Sequence, residues 1–135
     1  MQWDATHYAG FSTAPPWLPL ADDFRHENVV NLDADQRSIL KLYKALIALR
    51  KRLPQLASGD YVPIATQGEL LLYRRQSEGR AVVIALNLGD EPVSLEAKAI
   101  GIGGNILLST LLDREGEKVE GTVDLRGNEG VIIQP

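Results

Sequence analysis

The chain has 135 residues, of which 44% are hydrophobic and 24% charged, with a formal net charge of -4 at pH 7. That composition fits one ordinary globular domain with an appended element, and it argues against disorder. With no cysteine at all, disulfides and thiolate metal sites are excluded, and a cytoplasmic location is the expectation. No apolar run approaches the roughly 20 residues of a membrane helix, so no membrane partner is expected.

The charge is unevenly spread. Residues 1–33 carry five acidic and one basic side chain, residues 34–57 one acidic and six basic, and residues 58–135 twelve acidic and seven basic. A basic middle between acidic flanks can mark a nucleic-acid surface. This one lacks aromatic interleaving beyond Tyr43 and carries no recognised motif, so no nucleic-acid partner is expected.

Residues 1–33 read as an extended arm. They hold both tryptophans, Trp3 and Trp17, and the run Ala14-Pro15-Pro16-Trp17-Leu18-Pro19. Each proline fixes its own φ and biases the residue before it away from the helical region. Indoles normally bury most of their area, so a segment that displays two of them reads as part of a larger scaffold.

Residues 34–57 read as one amphipathic helix and a linker. Ile39, Leu42, Leu46, Leu49 and Leu53 fall on one stripe, which Leu40, Tyr43 and Ile47 widen. Asp33 is placed to cap the start, with Gln36 answering three positions on. Arg50, Lys51 and Arg52 complement the negative end of the helix dipole, and Pro54 ends the helix. The apolar face is wider than one small sheet covers. The helix is therefore expected to meet a second surface, and self-association through it is one way to supply that surface.

Residues 58–135 read as short strands. Tyr61-Val62-Pro63-Ile64-Ala65 comes first, then Leu70 to Arg75, and Ser77-Glu78-Gly79 turns the chain into Ala81-Val82-Val83-Ile84-Ala85-Leu86. That last run is apolar on both sides, as in a central strand buried on both faces. Val93, Leu95 and Ala97 alternate with polar residues. Asn105 to Leu112, Val119 to Leu125 and Gly130 to Gln134 complete the set. The predicted fold is mostly β: an antiparallel, Greek-key-like β-sandwich of six to eight strands, preceded by the helix and the arm.

Other residues invite a chemical reading and do not sustain it. His7 and His26 have no third ligand at metal spacing, so no metal site is expected. Asp22-Asp23 and Asp90-Glu91 are sequence neighbours in turn-like surroundings, where paired acid/base roles need convergence from separate elements. Gly101-Ile102-Gly103-Gly104 precedes a strand where a phosphate loop precedes a helix. Ser38, Ser58 and Ser109 have no histidine at triad spacing. Tyr61 and Tyr73 are the only aromatic residues of the β part that offer a sugar platform. No catalytic residue and no cofactor are expected.

Met1-Gln2-Trp3-Asp4, Ala9-Gly10-Phe11 and Pro16-Trp17-Leu18-Pro19 resemble a stretch late in the catalytic barrel of alpha-glucosidases. Oligo-1,6-glucosidases, sucrose isomerases and trehalose synthases of the alpha-amylase superfamily (glycoside hydrolase family 13) share it. The likeness continues through Asn28-Val29 and Ser38 to Tyr43, as far as Leu49-Arg50-Lys51, which would be the last barrel helix. Gly59-Asp60-Tyr61 resembles the entry to the carboxy-terminal β domain, and Val82 to Gly89 with Asp90-Glu91-Pro92-Val93 its central strand and turn. The match is specific in residues 1–60 and loose after 95.

The resemblance implies a retaining parent enzyme, an alpha-glucosidase or related hydrolase or isomerase, whose carboxylates precede Met1. Those carboxylates would stand about 5–5.5 Å apart. The chain would then be its non-catalytic carboxy-terminal piece, stabilising the (β/α)8 barrel of the same polypeptide. Trp3 and Asp4 would lie near the mouth of the sugar site, in the intact enzyme only. The alternatives are an independent carbohydrate-binding module and a protein-interaction domain that pairs through its exposed helix.

Overall fold

The computed structural model describes the whole chain except the side chains of residues 65–67. It divides into two compact units, Met1–Lys44 and Ala45–Pro135.

In the first unit, residues 1–33 carry a 3-10 turn, His7–Gly10, and defined backbone bonds. Trp3 N donates to the Ala9 carbonyl at 2.9 Å, while Val29 N and Val30 N donate to the carbonyls of Gln2 and Trp3 at 3.1 and 3.0 Å. These backbone bonds fold residues 1–4 against two later segments. The proline-rich run 14–19 does stay outside regular structure. A short helix α1, Val29–Ala34, follows. Its N-cap is Asn28, whose buried side chain accepts from Asn31 N at 3.1 Å and donates to the carbonyls of Phe24 and Arg25. An asparagine in that role satisfies a backbone donor the helix itself leaves free.

The long helix α2 spans Ile39–Arg52. Asp33 does not cap it, because Asp33 lies inside α1. Its carboxylate instead takes the ammonium groups of Lys41 and Lys44 at 3.1 and 2.5 Å. The cap is Ser38, whose hydroxyl accepts from Lys41 N at 3.2 Å and donates to the Leu32 carbonyl at 2.5 Å. Leu42 and Leu49 are buried, whereas Ile39, Tyr43 and Ile47 remain 59%, 61% and 52% exposed. They recur every fourth residue, so α2 carries a second, open apolar edge. Leu53 then turns extended, as the residue before a proline prefers. Pro54 opens a further helix α3, Pro54–Ser58, where its missing N–H costs nothing.

The second unit is a two-sheet sandwich of eight antiparallel strands. Six strands form one sheet: β1 (Asp60–Gln67), β2 (Leu70–Ser77), β3 (Arg80–Asn87), β5 (Gly104–Ser109), β6 (Lys118–Val119) and β8 (Gly130–Gln134), in the order β1-β2-β3-β8-β5-β6. The strands β4 (Val93–Leu95) and β7 (Val123–Leu125) form the other. Insertion of the last strand between β3 and β5 gives the sheet its Greek-key character. The β2–β3 hairpin turns on Glu78 and Gly79, both at positive φ (52° and 72°), which suits the right-handed twist of the flanking strands.

Two expectations change in detail. The segment 119–125 is two strands in different sheets, because the chain crosses over at Gly121 with φ 94°. Ala97 leaves its strand for a 3-10 turn, Ala97–Ile100.

Leu70, Leu72, Val83, Ala85, Val131 and Ile133 of the large sheet meet Leu95, Val123 and Leu125 of the small one in a single core. On the opposite face of β3, Val82 and Ile84 are also buried, and α3 packs against β2 and β3.

One end of the sandwich is tied by ions. Glu129 is fully buried and pairs with Arg126 and Arg114, which in turn pair with Asp113 and Glu117. Burial opposes ionisation of Glu129, but its bonds from Arg126 and the charge of Arg114 outweigh burial and hold its carboxyl below the ordinary value of 4.5. The hydrogen bond from Arg114 likewise lowers the Glu117 carboxyl.

Carboxyl groups depressed in the folded state stabilise it fully above their unfolded pKa, and they lose that contribution as pH falls through the folded value. Urea titrations should therefore show stability falling below about pH 4.5 in the parent chain, and falling less when Glu129 is replaced by a neutral residue. In the core, Ile133→Ala is expected to cost about 2–5 kcal/mol at pH 7 by the same titration.

Candidate functional site

Asp4 is held by its near neighbours in sequence. Thr6 donates its backbone N–H to Asp4 Oδ1 at 2.8 Å, and its hydroxyl hydrogen-bonds the same oxygen. The Thr6 hydroxyl, then its backbone N–H, hold the Asp4 carboxyl below the ordinary carboxylate value. Asp4 is therefore an anion throughout the physiological range. The bonds fall on Oδ1, while Oδ2 faces Gly10: a Cβ placed on Gly10 would stand 2.6 Å from it.

That close approach follows from an unusual backbone. Tyr8, Ala9 and Gly10 all have positive φ, at 59°, 54° and 68°. Such a conformation costs a non-glycine residue roughly 1–2 kcal/mol, and the surroundings must compensate. Ala9 is fully buried, and its carbonyl accepts from Trp3 N. The His7 and Tyr8 rings stand 3.8 Å apart at 42°. Beside this turn lies an open cleft of about 450 Å³ lined by Thr6, His7, Gly10, Phe11, Ser12 and Thr13. Trp3 is 49% and Phe11 43% exposed.

A carboxylate fixed in this way is chemically suited to accept hydrogen bonds from ligand hydroxyls, and exposed rings such as Trp3 and Phe11 to stack on apolar ligand faces. Among the described residues, no three potential metal ligands cluster, and His7 and His26 are not brought into one site with other ligands. Asp22-Asp23 lie in a turn. Asp90 accepts from Asn128 at 2.8 Å, a structural bond. The glycine run 101–104 joins a 3-10 turn to β5.

In the β unit, Tyr61 and Tyr73 stand side by side, with ring centroids 5.0 Å apart and tilted by 36°. Tyr61 is 54% exposed. The left-handed turn went unread in the sequence, since Tyr8 and Ala9 carry no signal for positive φ. Gly10 was the only available sign.

Residues 1–59 match the alpha-amylase catalytic domain family. Over 123 residues the chain is 41% identical to the salivary alpha-glucosidase of Aedes aegypti, covering 89% of this chain and 19% of that protein. It is 29% identical over 133 residues to the probable oligo-1,6-glucosidase 3 of Bacillus subtilis, covering 98% of this chain and 24% of that protein. The chain thus spans about a fifth to a quarter of the length of these curated relatives. Its fold superposes on the trehalulose synthase of Pseudomonas mesoacidophila with a TM-score of 0.86 at 24% identity, over 98% of this chain and 24% of that one.

The Gly10→Ala exchange should displace the Asp4 carboxylate and strain the turn. The amide resonances of Trp3, Thr6 and Ala9 should shift while those of β3 stay in place. An unperturbed Thr6 resonance would refute the contact.

Proposed function

We propose that this chain belongs with the glucosidases of the alpha-amylase superfamily (glycoside hydrolase family 13) and plays a supporting role rather than a catalytic one. It is the carboxy-terminal portion of a larger alpha-glucosidase-like enzyme, and it stabilises the catalytic barrel of the same polypeptide. The observation that carries this reading is the open edge of α2. Ile39, Tyr43 and Ile47 stand in solvent at helical spacing, and a helix of an isolated domain would bury such a row. Each side chain gains about 1.5–3 kcal/mol on full burial, so a barrel wall seated there contributes substantially to stability.

The chemistry of the parent would then be glycoside hydrolysis or isomerisation with retention. A nucleophile and an acid/base carboxyl about 5–5.5 Å apart would perform it, from residues outside this sequence. In that assembly Trp3 and Asp4 contribute to sugar binding. The pre-fixed Asp4 anion accepts from substrate hydroxyls, and Trp3 offers a ring face.

Two experiments on the full-length enzyme test this. Removing residues 58–135 should lower its melting temperature by several degrees, and an unchanged value would refute the supporting role. Asp4→Asn should leave the melting temperature in place while lowering kcat/KM by about tenfold or more, the loss of one charge-assisted hydrogen bond. Unchanged kinetics would remove Asp4 from the sugar site.

The paired rings of Tyr61 and Tyr73 favour a second reading, in which the β unit itself takes sugar. Titration with maltose or isomaltose should then shift the Tyr61 ring resonances saturably, and a flat response would leave the supporting role alone.

A further inference from the structure

The loops at one end of the sandwich are joined through a single carboxylate. Glu129 Oε2 accepts from Arg126 N at 2.9 Å, Arg126 Nε at 3.0 Å and Arg114 Nη1 at 3.2 Å, and Oε1 accepts from Arg126 Nη2 at 2.6 Å. Arg126 belongs to the β7–β8 loop and Arg114 to the β5–β6 loop. Each arginine then reaches outward. Arg126 makes a two-pronged pair with Asp113 at 2.7 and 2.8 Å. Arg114 does the same with Glu117 at 2.6 and 2.8 Å, and also donates to the Asp124 carbonyl at 2.8 Å.

The β3–β4 loop is tied in by neutral bonds. Asn87 Nδ2 donates to the carbonyls of Arg126 and Glu91 at 2.9 and 2.8 Å, and Asn128 N donates to the Gly89 carbonyl at 2.8 Å. Gly127 lies so close to Asp90 that a Cβ on it would stand 1.9 Å from the Asp90 carbonyl oxygen.

We infer that Glu129 is a latch: the β3–β4, β5–β6 and β7–β8 loops open and close as one unit around it, separately from the six-stranded sheet. The argument is one of satisfaction. A buried carboxylate accepts four bonds from donors on two loops, and both guanidinium groups need that acceptor. A glutamine in its place has one accepting oxygen and turns an NH2 donor toward arginine donors. Neither loop can then be satisfied alone, because each arginine that swings out also releases its partner on the neighbouring loop. Removing one partner of a buried, hydrogen-bonded ion pair is costly for this reason. Core β3, by contrast, is held by its bonds to β2 and β8 and by apolar packing.

Hydrogen exchange on the 135-residue chain tests the latch. In Glu129→Gln, the amides of residues 111–117, 126–128 and Gly89 should exchange faster together, by about tenfold or more, while those of Val83 to Leu86 keep their protection. Acceleration confined to 126–128 would overturn the coupling. Equal acceleration throughout β3 would show global unfolding and would overturn the separateness of the unit. Should Glu129→Gln fail to fold, Asp113→Asn serves instead. It removes a charge on the β5–β6 loop, so faster exchange must still reach 126–128, and a change limited to 111–117 would refute the inference.

Discussion

A strand that is apolar on both faces sets the plan of the β unit. Val83 and Ala85 point into the space between the sheets, and Val82 and Ile84 point the other way. A two-sheet sandwich covers only the first pair, so the second needs something from outside the sheets. The chain supplies α3, directly ahead of β1 and packed on β2 and β3. Arg75 Nε fastens it by donating to the Gln55 carbonyl at 3.4 Å. The β unit is therefore a sheet sandwich with a helical lid. Its boundary falls within α2, in the middle of the helix that the sequence pattern predicts as continuous.

That constraint connects local structure to assembly. The same stretch that covers β3 begins with a helix whose remaining apolar edge has no cover. Ile39, Tyr43 and Ile47 of α2 remain exposed at helical spacing. An apolar row of this kind gains stability only when another surface covers it. In the first unit, the Asp4 carboxylate beside the left-handed turn is fixed in advance by Thr6.

Much of the fold was legible because its signals are periodic. The two-sided run Val82 to Leu86 identified the central strand, and Ser77-Glu78-Gly79 identified its hairpin. Alternation from Val93 gave an edge strand, shortened where Ala97 turns inward. What escaped lacked a periodic signature. The crossing between sheets at Gly121 is a matter of φ at one residue, and in the sequence Val119 to Leu125 looks continuous. Asp33 is a plausible cap by type, yet Lys41 and Lys44 compete for its charge, and Ser38 stands nearer the true helix start. In the site, Trp3 and Asp4 were marked by resemblance. The Tyr8–Ala9–Gly10 turn that shapes their surroundings depends on tertiary contacts that override local preference. The Glu129 network depends on residues separated by up to 15 positions, a pairing that spacing alone does not reveal.

The indole of Trp17, 91% exposed on its proline-rich segment, gives the molecule a built-in optical marker. Indole fluorescence shifts to the red in water and to the blue in an apolar setting. In this chain Trp17 sits in water, while Trp3 is half sheltered. Emission from the first thus reports directly whether that segment stays in water, with no label attached.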